Sequence, residues 1–148
     1  MHTRIFRPIL CMTVALMGTA AISGCGGAAA TSISSSESLL DAGLKAFQEK
    51  DYAAAEIHLA AAIANGHLQP DLGENALRSL AVARIRLDKL TAAESDLMSL
   101  SLGAAEMDLF WVACAELELK KGDQDAAKNA ASQAREINPD VELPPELQ

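Results

Sequence analysis

Few side chains in this chain of 148 residues could do chemistry: three cysteines, three histidines and a surplus of carboxylates. His58 and His67 have no companions at metal-ligand spacing, so a metal site is not expected. Cys114 has no histidine near it in sequence to serve as a base, so it is not a plausible nucleophile. Glu116 and Glu118 lie two apart on a helix and do not face each other, which removes the nearest carboxylate pair. There is no phosphate loop, no dinucleotide fingerprint and no Ser/His/Asp set in a recognisable frame. The expectation is a non-catalytic protein without cofactor or metal. Cys25 is the exception: it stands directly after the small residues Ser23 and Gly24, behind a long apolar run.

That amino terminus has three parts. Arg4 and Arg7 give a positive start, residues 9–21 are apolar and too few to span a bilayer core, and Ile22-Ser23-Gly24-Cys25 follows. This order resembles the signal and lipobox of bacterial lipoproteins. There the small residues fit a narrow peptidase site and the thiol accepts a diacylglyceryl group. The resemblance implies a signal peptide over residues 1–24 and a lipidated Cys25 as the first mature residue, carrying three acyl chains. Each buried CH₂ is worth about 0.8 kcal/mol, and two chains already hold a protein stably. Gly26, in place of a retaining aspartate, implies an outer-membrane location facing the periplasm. The alternative is a plain secretory peptide that happens to end beside a cysteine. With Cys11 removed and Cys25 acylated, Cys114 has no disulfide partner and is expected to be a packing residue. Residues 26–36 are small and polar with no apolar face, and read as a flexible tether with a reach of roughly 20 Å.

The elements that follow are helical. Half of the residues are hydrophobic but only 3% are aromatic, so the core must be built from alanine and leucine. Residues 108–140 read as two amphipathic helices joined at Lys121-Gly122-Asp123 and stopped by Asn138-Pro139. Trp111, Cys114, Ala115 and Leu119 share one face of the first helix; Ala127, Ala131 and Ala134 share one face of the second. The same pattern occurs twice upstream. Ala55, Ala93 and Ala127 are 38 and 34 residues apart, and the same steps relate Gly43, Ala81 and Ala115, then Leu59, Leu97 and Ala131, and in the turns Lys50, Asp88 and Gly122. Ser34 with Glu37, and Thr91 with Glu94, have capping-box spacing and are expected to open helices. The loop at Gln69-Pro70-Asp71 is either a longer connection or the lengthened start of the third helix. The last helix is polar on its outer side at Lys128, Asn129, Ser132, Gln133 and Glu136, and the tail is expected to be extended.

A two-helix unit with a period near 34 resembles the tetratricopeptide repeat. Trp111, Ala115, Gly122-Asp123, Ala127, Ala134 and Pro139 carry the likeness best. Ala42-Gly43, Asp51-Tyr52, Ala55 and Ala62 match in the first unit, which lacks the closing proline and has about four extra residues. The second unit keeps Leu77, Ala81, Ala93 and Leu100 and has no aromatic residue. The resemblance implies an all-α, right-handed superhelix of about three hairpins over residues 37–141, with units near 37–69, 74–107 and 108–141, and a tail at 142–148. An ordinary alanine-rich bundle is the alternative.

In that family the first helices line a groove. Carried over by position, it would present Leu40, Leu44 and Phe47, then Arg78, Val82, Ile85 and Arg86, then Leu109, Val112, Glu116 and Leu119, with Lys120 at the rim. The partner implied is a protein or peptide with apolar anchors and a carboxylate. Leu40 and Leu44 stand where the family's chaperone-binding clamp has lysine and asparagine, which argues against that ligand. The net charge of −8 becomes −10 without Arg4 and Arg7. Such a balance excludes nucleic acid and a domain lying on anionic lipid, leaving lipid contact to the anchor alone. The chain is thus expected to be an envelope adaptor or assembly factor. A self-associating scaffold and a pilotin-like factor for a secretion or pilus system are the alternatives.

Overall fold

The computed structural model describes residues 27–148, with side-chain surroundings from residue 35 onward. The expected signal segment, Cys11, Cys25 and Gly26 lie outside the described residues. The fold is all-α: α1 Gly27–Gln48, α2 Tyr52–Ala64, α3 Pro70–Arg86, α4 Leu90–Leu100, α5 Met107–Lys121, α6 Gln124–Ile137, and a short 3-10 turn at Pro145–Leu147. Consecutive helices pair, α1 with α2, α3 with α4, α5 with α6. The second helix of each hairpin then packs on the first helix of the next. The odd-numbered helices also approach one another, α1 to α3 and α3 to α5, whereas the even-numbered ones do not. The stack is therefore narrower along its odd side.

Three turns close in one way. Lys50, Asp88 and Gly122 have φ of 61°, 58° and 85°. The N–H of the residue after each donates to the carbonyl five residues back: Asp51 to Ala46, Lys89 to Arg84 and Asp123 to Glu118, each at 2.9 Å. This is the Schellman closure, in which one left-handed residue satisfies the orphan carbonyls of a helix end. Only the third turn uses glycine. Lysine and aspartate in that conformation each carry strain of roughly 1–2 kcal/mol. Asp51 and Asp123 then serve as N-caps, their side chains accepting from the N–H of Ala54 (3.1 Å) and Ala126 (2.9 Å).

Each hairpin buries its small residues together with an incoming face from the next element. Leu40, Ala55, Leu59 and Ala62 of the first hairpin meet Ala76, Leu80 and Ala83 of α3. Ala81, Ile85, Ala93 and Leu97 of the second meet Phe110, Ala113 and Leu117 of α5. At Gly43 a Cβ would sit 2.7 Å from Leu59 Cγ, so α1 and α2 cross at a distance that only glycine permits.

Several local expectations are corrected. α1 already runs from Gly27, so the stretch read as a flexible tether is helical from residue 27, and Ser36 at its end is fully buried. Its run of alanines is the strongest helix former available, which a reading based on apolar periodicity discounts. Ser34 and Thr91 lie inside helices, so neither opens one, and α4 starts at Leu90 after Lys89 with no side-chain cap. Pro70 occupies the first turn of α3, so the extra residues lengthen that helix's start. The tail is not extended: it folds back, burying Leu143 and Leu147 against α5 and α6.

Candidate functional site

The twelve groove residues expected from position do not form one surface. Leu40 and Ile85 are core residues, 3% and 1% exposed. Leu44 and Phe47 pack half-buried on the first cluster, Val82 on the second, and Val112 on the third. Leu109 stands at the surface. Arg78 is held by Glu106 and by Asn75 Oδ1 (3.3 Å), so it ties α3 to the start of α5 instead of facing a ligand. Another hollow near this point, of about 610 Å³, is lined by Pro70, Asp71, Glu74, Leu100 and Leu102. One of its two carboxylates is already engaged, because Glu74 accepts from the backbone N–H groups of Ala105 and Glu106 at 2.9 and 3.2 Å; Asp71 is the other.

Five of the twelve do converge. Ile85, Arg86, Glu116, Leu119 and Lys120 line a hollow of about 360 Å³ between α3 and α5, completed by Gln124, Pro144, Pro145 and Glu146. The elements that place them are the last turn of α3 and the last two turns of α5, set side by side by the repeated Schellman turns. Lys120 reaches Asp88 of the neighbouring turn at 3.2 Å. Arg86 Nη2 lies 2.8 Å from Glu116 Oε2. That oxygen is buried and receives no well-aligned hydrogen bond. The guanidinium supplies charge at contact distance and opposes protonation of the carboxyl. Burial pushes the Glu116 carboxyl above its ordinary range; Arg86 opposes this and the nearby Glu146 adds to it. The hollow thus holds a buried carboxylate paired with Arg86, with Lys120 paired to Asp88 at the rim and Leu119 as an apolar wall.

A carboxyl raised in the folded state binds its proton more tightly there than in the unfolded chain. Stability then rises as pH falls through the folded-state value, and the gain is complete below the ordinary value of 4.5. The Glu116→Gln variant is expected to lose this component. A series of thermal unfolding midpoints between pH 7 and 4 should show wild type gaining on the variant as pH falls, with the gain complete below 4.5. A constant difference across the range would mean that Glu116 is not destabilised by its site.

Sequence reasoning missed the strongest polar cluster. Arg84 donates to both oxygens of Asp96 (2.8 and 2.7 Å) and to Glu56 Oε1 (3.3 Å), while Lys89 reaches Glu56 Oε2 at 2.6 Å. It joins α2, α3 and α4 and is structural. The only signal was the excess of charge where α3 ends, at Arg84, Arg86, Asp88 and Lys89. Cys114 is half-buried, and desolvation with help from Glu118 pushes its thiol up to about 11. A thiol with so little thiolate at neutral pH is a packing group. Among the described residues no cluster of metal-ligating side chains is found, and no helix is long and apolar enough to cross a membrane. Comparison with protein-family models, with curated proteins and with solved structures finds no match.

Proposed function

We propose that this chain is a lipid-anchored, non-catalytic adaptor of the bacterial envelope, with its hairpins stacked as a tetratricopeptide-like right-handed superhelix and its inner side facing a protein partner. The observation that carries the reading is the hollow on the α3–α5 seam, where Arg86, Glu116 and Lys120 gather around Leu119. The approach of the odd helices to one another, with the even ones apart, supports an inner curve on that side. A segment bearing one apolar side chain and a carboxylate matches Leu119 with Arg86 and Lys120. A donor on the same segment would satisfy Glu116. The anchor rests on the resemblance at Cys25 to the lipobox of bacterial lipoproteins, and a lipid there would hold the domain near a membrane surface.

Two measurements test the parts separately. Metabolic labelling with palmitate should mark the wild-type chain and not a Cys25→Ser variant, and an unlabelled wild type would remove the anchor. Affinity capture should lose its partner on Arg86→Glu/Lys120→Glu substitution, and an unchanged partner set would remove the hollow as the contact. A self-associating scaffold is the second reading. It rests on Met98 and Leu102, which are 67% and 89% exposed about one turn apart. Light scattering that rises in apparent mass with concentration, and falls on Leu102→Ser substitution, would favour it.

A further inference from the structure

The hollow between α3 and α5 is short of one positive charge. Arg86 is committed to Glu116 at 2.8 Å, and Lys120 to Asp88 at 3.2 Å. Glu146, an exposed residue of the 3-10 turn, lines the same hollow. Among the described residues no cation pairs with it. Its charge acts instead on Glu116, like against like. Burial and Glu146 together raise the Glu116 carboxyl above its ordinary range although Arg86 opposes them, as expected where a second cation is wanting. The Glu116 side chain keeps 16% of its exposure, so it can still be reached from the hollow.

The charge and the walls together select a ligand. Two carboxylates, one of them already paired, supply too few oxygens for a calcium or magnesium ion. An anion would meet Glu116 and Glu146 at once. A primary ammonium is a compact charge on a four-carbon stem, and such stems lie along apolar surface while the head stays with its counter-charges. Leu119, Pro144 and Pro145 provide that surface beside the two carboxylates, and about 360 Å³ is room for one long side chain. The net charge of −8, or −10 without Arg4 and Arg7, draws a basic segment from a distance.

We propose that this hollow seats a lysine side chain of the partner, its ammonium between Glu116 and Glu146 and its stem along Leu119 and Pro144. The proposal rests on the reading of the hollow as the partner contact and names the residue that enters it. The ammonium takes over part of Glu116, so Arg86 can turn toward a carboxylate on the same segment.

Amide-resolved NMR titration of the isotope-labelled full chain tests it. The peptide acetyl-Ala-Lys-Ala-amide should shift the amides of Leu119, Lys120 and Gln124 saturably. The same peptide with norleucine, which keeps the stem and lacks the ammonium, should bind about ten-fold more weakly or less, as should the acetyl-lysine version. Glu146→Gln, a neutral isostere at an exposed position, should weaken the lysine peptide several-fold and leave the norleucine peptide unchanged. Equal binding of the lysine and norleucine peptides overturns the proposal. Shifts scattered over the acidic surface and indifferent to Glu146→Gln overturn it too, as ordinary charge attraction. A control peptide, acetyl-Ala-Leu-Asp-amide, keeps two failures apart. If it shifts the three amides and the lysine peptide does not, the hollow stands as a contact and the lysine alone is withdrawn. If neither peptide shifts them, both readings fall.

Discussion

Replacing Arg84 by leucine is expected to lower the unfolding free energy by about 3 kcal/mol, the low end of the range for breaking a buried ion pair. The low end applies because the Arg84 side chain is 21% exposed and the Asp96 side chain 11%, so some water still reaches the pair. The cost comes from what is left behind. Burial already pushes the Asp96 carboxyl above its ordinary range against the pull of Arg84, and Glu56 pushes the same way. Glu56 shares the guanidinium, yet it lies below the usual range because Lys89 hydrogen-bonds it and outweighs its burial. The two shifts differ in sign because Asp96 is the deeper group. Without Arg84, Asp96 would keep only the unfavourable influences. Its proton would then stabilise the fold, so the loss should shrink as pH falls toward the ordinary value of 3.8. Adding Asp96→Leu should recover most of the stability by removing the stranded charge. Urea unfolding of the two variants decides; a single-variant cost below about 1 kcal/mol would class the cluster with surface pairs.

Leu59→Ala is expected to cost about 2–5 kcal/mol, because the side chain is wholly buried in a cluster made largely of alanines, whose short side chains cannot reach into the gap. Its counterpart is Gly43. A Cβ there would stand 2.7 and 2.8 Å from Leu59 Cγ and Cδ2, and 3.1 Å from the Leu59 amide nitrogen. Gly43→Ala should therefore cost about 1–3 kcal/mol through overpacking. The double variant should lose less than the sum, since the new methyl occupies part of the space the leucine vacates. Additive losses would show that the two residues do not share one cavity. The same places in the next hairpins hold Ala81 with Leu97 and Ala115 with Ala131, so the leucine-on-glycine contact belongs to the first crossing alone.

The turns were legible because spacing alone reveals them. Lys50, Asp88 and Gly122 share steps of 38 and 34, and all three take the left-handed conformation. The buried faces of α2, α4 and α6 were legible for the same reason: Ala55, Ala93 and Ala127 are all inaccessible to solvent. Caps were misread where a local pattern met a longer helix. Ser34-Glu37 and Thr91-Glu94 have the right spacing, but α1 and α4 begin before them, and a capping box acts only at a first turn. The site was half legible. The family resemblance, carried over by position, put Arg86, Glu116 and Leu119 in a groove with Lys120 at its rim, and these four line one hollow. It could not predict that Arg78 is spent on Glu106, a residue 28 positions later brought close by the stacking of hairpins. Nor could it place Pro144 and Pro145 in the wall of the hollow, although two leucines four apart in an acidic tail were the available sign.

The absence of close backbone approach between α2 and α4, and between α4 and α6, has a mechanical meaning. A continuous seam of close backbones joins the hairpins on one edge, and on the opposite edge α2 and α4 are linked through the side chains of Glu56, Arg84, Lys89 and Asp96, as with the spine and fore-edge of a book held by a clasp. Bending about that spine changes curvature while sacrificing little packed area, so it is the softest deformation of the molecule. Each leaf leans only on its neighbours, so strain applied at one cover fades before it reaches the other.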